Sequence, residues 1–484
     1  MRVAIIGSGI AGLAAAHTLR GAADVTLFEA GDYFGGHTHT VDITLPTQHG
    51  SLTHGVDTGF LVMNERTYPH LIALFKELGV ATAKSDMSFS VQAFGALNQT
   101  GKPRTLEWSG SNLDTVFAQR SNLVNWRFLK MLKDLLRFNK LATHIALQGT
   151  EGELHQSLGD FLQQHRFSAE FCDWYFLPMM ACIWSCPTAQ MLQFPVATMI
   201  RFCHNHGLMQ TTDRPQWWTV QGGARQYVKN ITAKIADKRL NTVVRSVTRF
   251  GHGPGDPCGH VLVVTGRGSE RQQERFDKVI IATHSDQALA LLKAPTALER
   301  QTLAAIRYQG NKAVLHTDIA VLPQRRAAWA AWNYERADTG DFNVALRSGS
   351  AGGSGSSENT GVCLHYLINR LQPLPWPQPV MVSLNPIRPI RRQHILGEYD
   401  YAHPVFDLAA MAAQRDMPKL QGHQNTYFCG AWMGYGFHED GLKAGVATAR
   451  QLLADAVTAG TAGQADMPAR TGAPLFTRRE QVPA

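Results

Sequence analysis

Arg2-Val3-Ala4-Ile5-Ile6-Gly7-Ser8-Gly9-Ile10-Ala11-Gly12-Leu13 is followed, after an Ala/Leu-rich stretch to Arg20, by Val25-Thr26-Leu27-Phe28-Glu29. The apolar run before Gly7 predicts a strand, the Ala/Leu-rich stretch a helix, and Val25 to Glu29 a second strand. In Gly7-x-Gly9-x-x-Gly12 each glycine has its own task. The first permits a tight strand-to-helix turn, the second admits a pyrophosphate to the backbone, and the third lets helix and sheet approach closely. The helix N-terminus, at Ile10 and Ala11, then offers N–H groups and a favourable dipole to the anion. Glu29 ends the second strand seventeen residues after Gly12, where a carboxylate can accept hydrogen bonds from an adenosine ribose, and Ala30 follows it. A glycine turn alone is a weak signal, but flanked by strand, helix and acid it predicts a βαβ dinucleotide-binding unit.

Outward from this unit, 484 residues exceed one ordinary core, so two domains are expected. Hydrophobic residues make up 44% and charged residues 17%, against a usual charged share of about 25%, which predicts a well-filled globular interior. The first apolar run starts at Val3, directly after Met1 and Arg2. A cytoplasmic chain without a cleaved leader is the expectation. No apolar stretch approaches the ~20 residues of a bilayer span, which leaves surface attachment open. Seven cysteines without Cys-x-x-Cys spacing predict reduced thiols. The net charge of +8 is spread without a run of five basic residues, and no nucleic-acid partner is expected. The pattern is helical and aromatic from about Gly110 to Pro215. A hairpin is expected from Thr242–Phe250 and Val261–Thr265 around a Gly/Pro-rich loop, and a buried parallel strand from Phe276 to Thr283. Ser348 to Ser357 reads as a mobile loop, the last helix as about Gly441 to Ala456, and 458–484 as a disordered tail.

Further motifs resemble those of the flavin amine oxidase, protoporphyrinogen oxidase and phytoene desaturase superfamily. Gly-Leu-x-x-Ala-x-x-Leu runs from Gly12 through Leu13, Ala16 and Leu19, with Gly35-Gly36 beyond the second strand. The superfamily generally continues Gly-Gly-Arg, whose arginine meets the pyrophosphate; this chain has His37-Thr38. Asp57-Thr58-Gly59-Phe60 resembles the loop that returns beneath the flavin, Trp218 to Gly223 the glycine pair before a helix, Val244 the strand position that reads adenine, and Ala282-Thr283 the re-entrant strand. Gly430-Ala431-Trp432 and Gly434 to Gly445, containing Asp440-Gly441-Leu442, resemble the closing motif, although Ala431 stands where an acid usually binds the ribityl chain. The resemblance implies an α/β fold in which a Rossmann-like FAD-binding domain of the amine oxidase type (1–90, 216–300 and 420–457) carries an inserted α+β substrate domain (91–215 and 301–419). It also implies a helix start at Gly441 whose N–H groups face the flavin. FAD is the expected cofactor. With Cys429 in a strand-like run and no cysteine from Gly434 to Gly441, it is expected to be held without a covalent link.

Several constellations have a functional and a plain reading. His37, His39, His49 and His54 lack a ligand spacing and read better as solvated loop or phosphate contacts than as a metal site. Cys182, Cys186 and Cys203 with His204 and His206 read as buried thiols, and no metal is expected. Lys312 stands roughly where amine oxidases keep a lysine that holds a water at the flavin, or else is a surface lysine at a strand end. Tyr435 and Phe437 fit a flavin wall or core packing. The implied reaction is hydride removal from a substrate C–H by an amine oxidase-like FAD enzyme. The alternatives are oxidation of a lipid or isoprenoid chain, and a flavin-binding protein without turnover. The partner is then a small molecule, either an amine or a lipid chain. A basic amphipathic helix from Trp126 to Lys140, with Arg127, Lys130, Lys133, Arg137 and Lys140 beside Phe128, Leu129, Leu132, Leu135 and Leu136, allows peripheral membrane contact or packs on a core.

Overall fold

The computed structural model describes residues 1–97, 103–148, 156–210, 214–251, 259–336 and 362–462. The Gly/Pro loop residues 252–258, the Ser348–Ser357 stretch and the tail from 463 onward lie outside the described residues. The chain divides into two compact units, 1–38 with 227–307 and 409–484, and 39–226 with 308–408.

The first unit is built on a five-stranded parallel sheet in the order Asp237–Arg239, Asp24–Phe28, Arg2–Ile6, Lys278–Ile281 and Thr426–Phe428. The central strands, Arg2–Ile6 and Lys278–Ile281, are apolar after their first residue because both faces of such a sheet are covered, whereas the edge strand Asp237–Arg239 is charged. The helix Ile10–Leu19 lies against it almost wholly buried. Its small side chains allow a close crossing with the last helix, His438–Ala462. A Cβ on Gly445 would overlap the carbonyl oxygen of Ala11, and one on Gly441 would stand 2.7 Å from Ile10 Cγ2. The expected hairpin is present as Val244–Phe250 and His260–Thr265, with a third antiparallel strand, Gln272–Phe276. The single strand expected from Phe276 to Thr283 is thus two. The chain turns at Asp277, whose carboxylate accepts the Arg2 N–H at 2.7 Å.

The second unit carries a seven-stranded sheet in which Trp332–Arg336 runs parallel to Phe89–Leu97 and antiparallel to Cys363–Leu367. Residues 39–90, expected with the cofactor domain, pack in this unit. The reason is hydrogen bonding: Phe89–Leu97 joins the large sheet, and Thr82–Ser85 pairs with Trp217–Val220. Around it lie the 23-residue helix Trp126–Gln148 and the helices Leu177–Trp184 and Val196–Asn205. Cys182, Cys186 and Cys203 are buried, and burial pushes the Cys186 and Cys203 thiols up to about 12. Among the described residues no helix is long and apolar enough to cross a membrane.

Four strands of the large sheet hold a buried polar chain. Arg388 pairs with Glu335, Glu335 Oε2 lies 2.8 Å from His365 Nε2, and Ser383 Oγ lies 2.6 Å from both His365 Nδ1 and His316 Nε2. The Asp318 N–H donates to His316 Nδ1, so a neutral His316 carries its proton on Nε2 and donates to Ser383. Glu335, Cys363 and His365 bring potential metal-ligand atoms within 4.8 Å of one another, but the carboxylate is already taken by Arg388 and His365. Burial alone lowers the pKa of His365, yet Cys363 and the Glu335 carboxylate beside it raise it to about 9 on balance. A histidine raised above its unfolded value of about 6.5 contributes stability that is complete below that value and is lost as pH rises through about 9. The thermal midpoint of the wild-type protein is therefore expected to fall from pH 7 to pH 10 by more than that of His365→Gln. Parallel profiles would show that the pair does not titrate with unfolding.

Candidate functional site

In the first unit the loops at the carboxyl ends of the parallel strands converge on the start of Ile10–Leu19, where ligands of open α/β sheets bind. Gly7 has φ 101°, a conformation that side chains disfavour, and its N–H donates to Phe28 O at 2.9 Å. A Cβ at Gly7 would lie 2.8 Å from the carbonyl oxygen of Ala282, one at Gly12 would overlap Gly7 O, and one at Gly36 would lie 3.1 Å from Gly9 Cα. Gly9 pairs with Gly35 as an isolated bridge and caps the helix with no side chain. At Gly9, by contrast, a Cβ would meet nothing within 4 Å. A helix N-terminus without a side-chain cap, opening on space that a Cβ at Gly9 would enter, suits a diphosphate.

Glu29 stands beside it. Its Oε2 accepts the N–H of Ser8 at 3.0 Å and the Ser8 hydroxyl at 2.5 Å, and its Oε1 accepts the N–H of Gly31 at 2.9 Å. Ser8 Oγ in turn accepts the N–H of Gly35 at 3.1 Å. Ala30, next to Glu29, is exposed. The segment leading to Val244 comes to the same place, because the Asn241 N–H donates to Gly31 O at 2.9 Å and the Thr242 N–H to Glu29 O at 2.8 Å. Val244 itself is buried beside a bulge. Acid, glycine turn and the start of that strand thus form one group.

His37 and His284 face each other across this region with ring centroids 6.2 Å apart, and burial lowers the pKa of His284. His284 follows Ala282-Thr283, and nothing in its sequence neighbourhood singled it out. Thr38 turns inward: its Oγ1 lies 2.5 Å from Tyr227 Oη, which lies 2.7 Å from His438 Nε2. Burial, with His37 nearby, lowers His438 to about 3, so the ring is neutral.

The closing motif differs from expectation at its helix. The helix begins at His438, and the Gly441 N–H donates to Phe437 O at 3.1 Å, so that amide is spent inside the helix rather than offered to a ligand. Asp440 accepts the N–H groups of Phe437 and Tyr435 at 3.0 and 3.1 Å, and burial pushes its carboxyl up to about 6. It thereby closes the helix start. Leu442 is buried, Tyr435 is exposed, and the Trp432 indole, just after Gly430 and Ala431, donates to Thr283 O at 3.0 Å.

In the second unit, Asp57 is buried at the end of a strand. Its carboxylate accepts hydrogen bonds from the Thr40 hydroxyl, the Ala224 N–H at 3.0 Å and the Gln372 side-chain amide at 2.6 Å. Thr58 Oγ1 lies 2.7 Å from Tyr401 Oη, itself 3.0 Å from His39 Nδ1, while Gly59 and Phe60 are half-buried. Lys312 is exposed and pairs with Glu398 at 2.9 Å, which raises its pKa through that hydrogen bond. This is a surface ion pair, and we give Lys312 no part in the reaction.

A family model, flavin containing amine oxidoreductase, matches residues 10–327. No curated protein sequence matches. Among solved structures, cyclohexylamine oxidase from Brevibacterium oxydans IH-35A is similar at 17% identity and TM-score 0.59, with 94% of this chain and 99% of that one covered. A fatty acid isomerase from P. acnes that produces CLA is similar at 16% and 0.56, with 93% and 98% covered. Putrescine oxidase bound to putrescine is similar at 15% and 0.59, with 94% and 99% covered. At these identities the structures speak for the fold alone. The family match spans well over half the chain, so the chain belongs to the flavin containing amine oxidoreductases and is an FAD-dependent oxidoreductase.

Proposed function

We propose that the first unit holds the adenosine diphosphate half of FAD, with the ribose on Glu29 and the diphosphate on the amides that open Ile10–Leu19. The observation that carries this reading is the uncapped helix N-terminus beside Glu29, whose carboxylate is already held by Ser8 and Gly31. His37 and His284 take the place of the usual arginine, each able to donate to a phosphate oxygen. FAD, when bound, supplies the acceptor for a hydride removed from a substrate C–H. The chain's own residues then bind, orient and shield the substrate, and no nucleophile is required of them.

An amine is the first reading of the substrate, in line with the activities named for cyclohexylamine oxidase and putrescine oxidase. A lipid chain is the second, favoured by the exposed apolar and basic face of Trp126–Gln148 and in line with the fatty acid isomerase. Peripheral membrane contact belongs with the second reading, since an enzyme acting on lipid works at its surface.

The test is anaerobic mixing of the purified yellow protein with cyclohexylamine, putrescine, an unsaturated fatty acid and NADPH, following the visible flavin band. Bleaching by an amine supports the first reading and bleaching by the fatty acid the second; bleaching by NADPH alone would overturn C–H oxidation. Acid denaturation of the same sample is expected to free the colour, because Cys429 is fully buried in the first unit. Colour that stays with the precipitate would contradict non-covalent binding.

A further inference from the structure

We propose that the outer face of the helix Trp126–Gln148, with the turn before it, is a docking surface for anionic lipid. The inference deepens the lipid reading above but stands on the surface itself. Phe128, Met131, Phe138, Ala142 and Ile145 are buried, at spacings of three, four and seven residues, so one side of the helix is committed to the core of the second unit. The opposite side is not uniformly polar, as a solvated helix face would be. Trp126 is 52% exposed and Leu136 60%, with Leu129 and Leu147 exposed along the same side, and Val124 in the preceding turn is 68% exposed. One such residue is ordinary; a cluster on one element marks an interaction surface.

Basic side chains run beside the apolar ones. At 100° per residue, Lys133 and Lys140 fall within about 60° of Leu129 and Leu136 around the helix. Both lysines are exposed and, among the described residues, make no ion pair. Arg127 and Lys130 share Glu170 at 3.5 Å and border the Trp126 ring, at 5.2 and 6.0 Å from its centroid. An aromatic ring flanked by cations and leucines beside lysines is the pattern of a helix lying in the headgroup plane, its stems in the acyl boundary and its ammonium groups among phosphates.

Charge complementarity selects the occupant. A second copy of the chain across a two-fold axis would set the same patch against itself, lysine row against lysine row. Nucleic acid would meet the lysines but leave the leucines without partners. An anionic membrane meets both.

The test is flotation of the full-length FAD-loaded protein with vesicles of phosphatidylcholine alone and of phosphatidylcholine with phosphatidylglycerol. Wild type is expected to float with the anionic vesicles only. Lys133→Gln/Lys140→Gln should bind them roughly thirtyfold more weakly, two charges' worth of surface attraction, and Trp126→Ser/Leu136→Ser should lose flotation while keeping its FAD. Every substituted residue is exposed, so the flavin content reports that folding is intact. Wild type that stays at the bottom, equal binding to neutral vesicles, or variants that float like wild type would overturn the proposal. So would a dimeric wild type that Trp126→Ser/Leu136→Ser turns into a monomer, which would make the face a subunit interface. Flotation needs no substrate, so its outcome is separate from that of the anaerobic mixing.

Discussion

Gly12→Ala is expected to purify colourless and to show no measurable FAD affinity. A Cβ at this position would overlap the carbonyl oxygen of Gly7, which belongs to backbone and is fixed by the Gly7 N–H bond to Phe28 O and by the packing of Gly7 against Ala282. Relief requires moving the first helical turn away from the strand that precedes it, and with it the N–H groups proposed to hold the diphosphate. Glu29→Ala is the milder companion. It removes the acceptor for Ser8 and Gly31 as well as the proposed ribose contact, and charge-assisted hydrogen bonds of this kind are worth about 1.5–3 kcal/mol, which predicts at least about tenfold weaker FAD binding. Fluorescence titration of the deflavinated proteins measures both. A yellow Gly12→Ala protein with full flavin content would show that the cofactor lies elsewhere.

The contrast between these residues and the rest of the site marks what a sequence can reveal. Gly7 to Gly12 and Glu29 are legible because their roles depend on neighbours within one βαβ unit, and because glycine is the residue whose absence of a side chain is itself the signal. The hairpin after Val244 is legible for the same local reason. Its third strand, Gln272–Phe276, is not, since Gln-Gln-Glu-Arg-Phe is strand only by virtue of pairing with His260–Thr265. The large sheet of the second unit places Phe89–Leu97 beside Trp332–Arg336, a pairing that no local pattern encodes. Within the site, Thr38, Tyr227 and His438 meet across separations of 189 and 211 residues, so Thr38 could be named from its motif but not its inward direction. The motif predicts a helix start at Gly441, whereas the helix begins at His438 and Asp440 closes it by reaching back to Phe437, a contact that the spacing of glycines does not encode.

Asp57 shows the same limit, and its replacement carries the other large effect. The motif predicts a loop of the flavin site, while the structure makes the carboxylate the junction of Thr40, Ala224 and Gln372, three segments far apart in sequence. Asp57→Ala leaves those neutral donors without an acceptor in a fully buried place, and a buried donor left unsatisfied is expected to cost about 1–3 kcal/mol of stability. Asp57→Asn keeps the volume but not the match. Its amide turns one N–H toward the Gln372 amide, and a rotated Gln372 would give up its Oε1 as acceptor of the Asp57 N–H at 3.0 Å. The two variants also separate by pH. Burial, against the hydrogen bonds from Thr40, Ala224 and Gln372, pushes the Asp57 carboxyl up to about 7, above an unfolded value of about 3.9, so the folded state binds the proton more tightly than the unfolded chain and wild-type stability declines as pH rises between those values. Asparagine does not titrate. The stability advantage of wild type over Asp57→Asn is therefore expected to be larger at pH 5 than at pH 8, with urea unfolding at both pH values as the measurement. An advantage that is constant, or that grows with pH, would mean that the three donors hold the carboxylate ionised throughout.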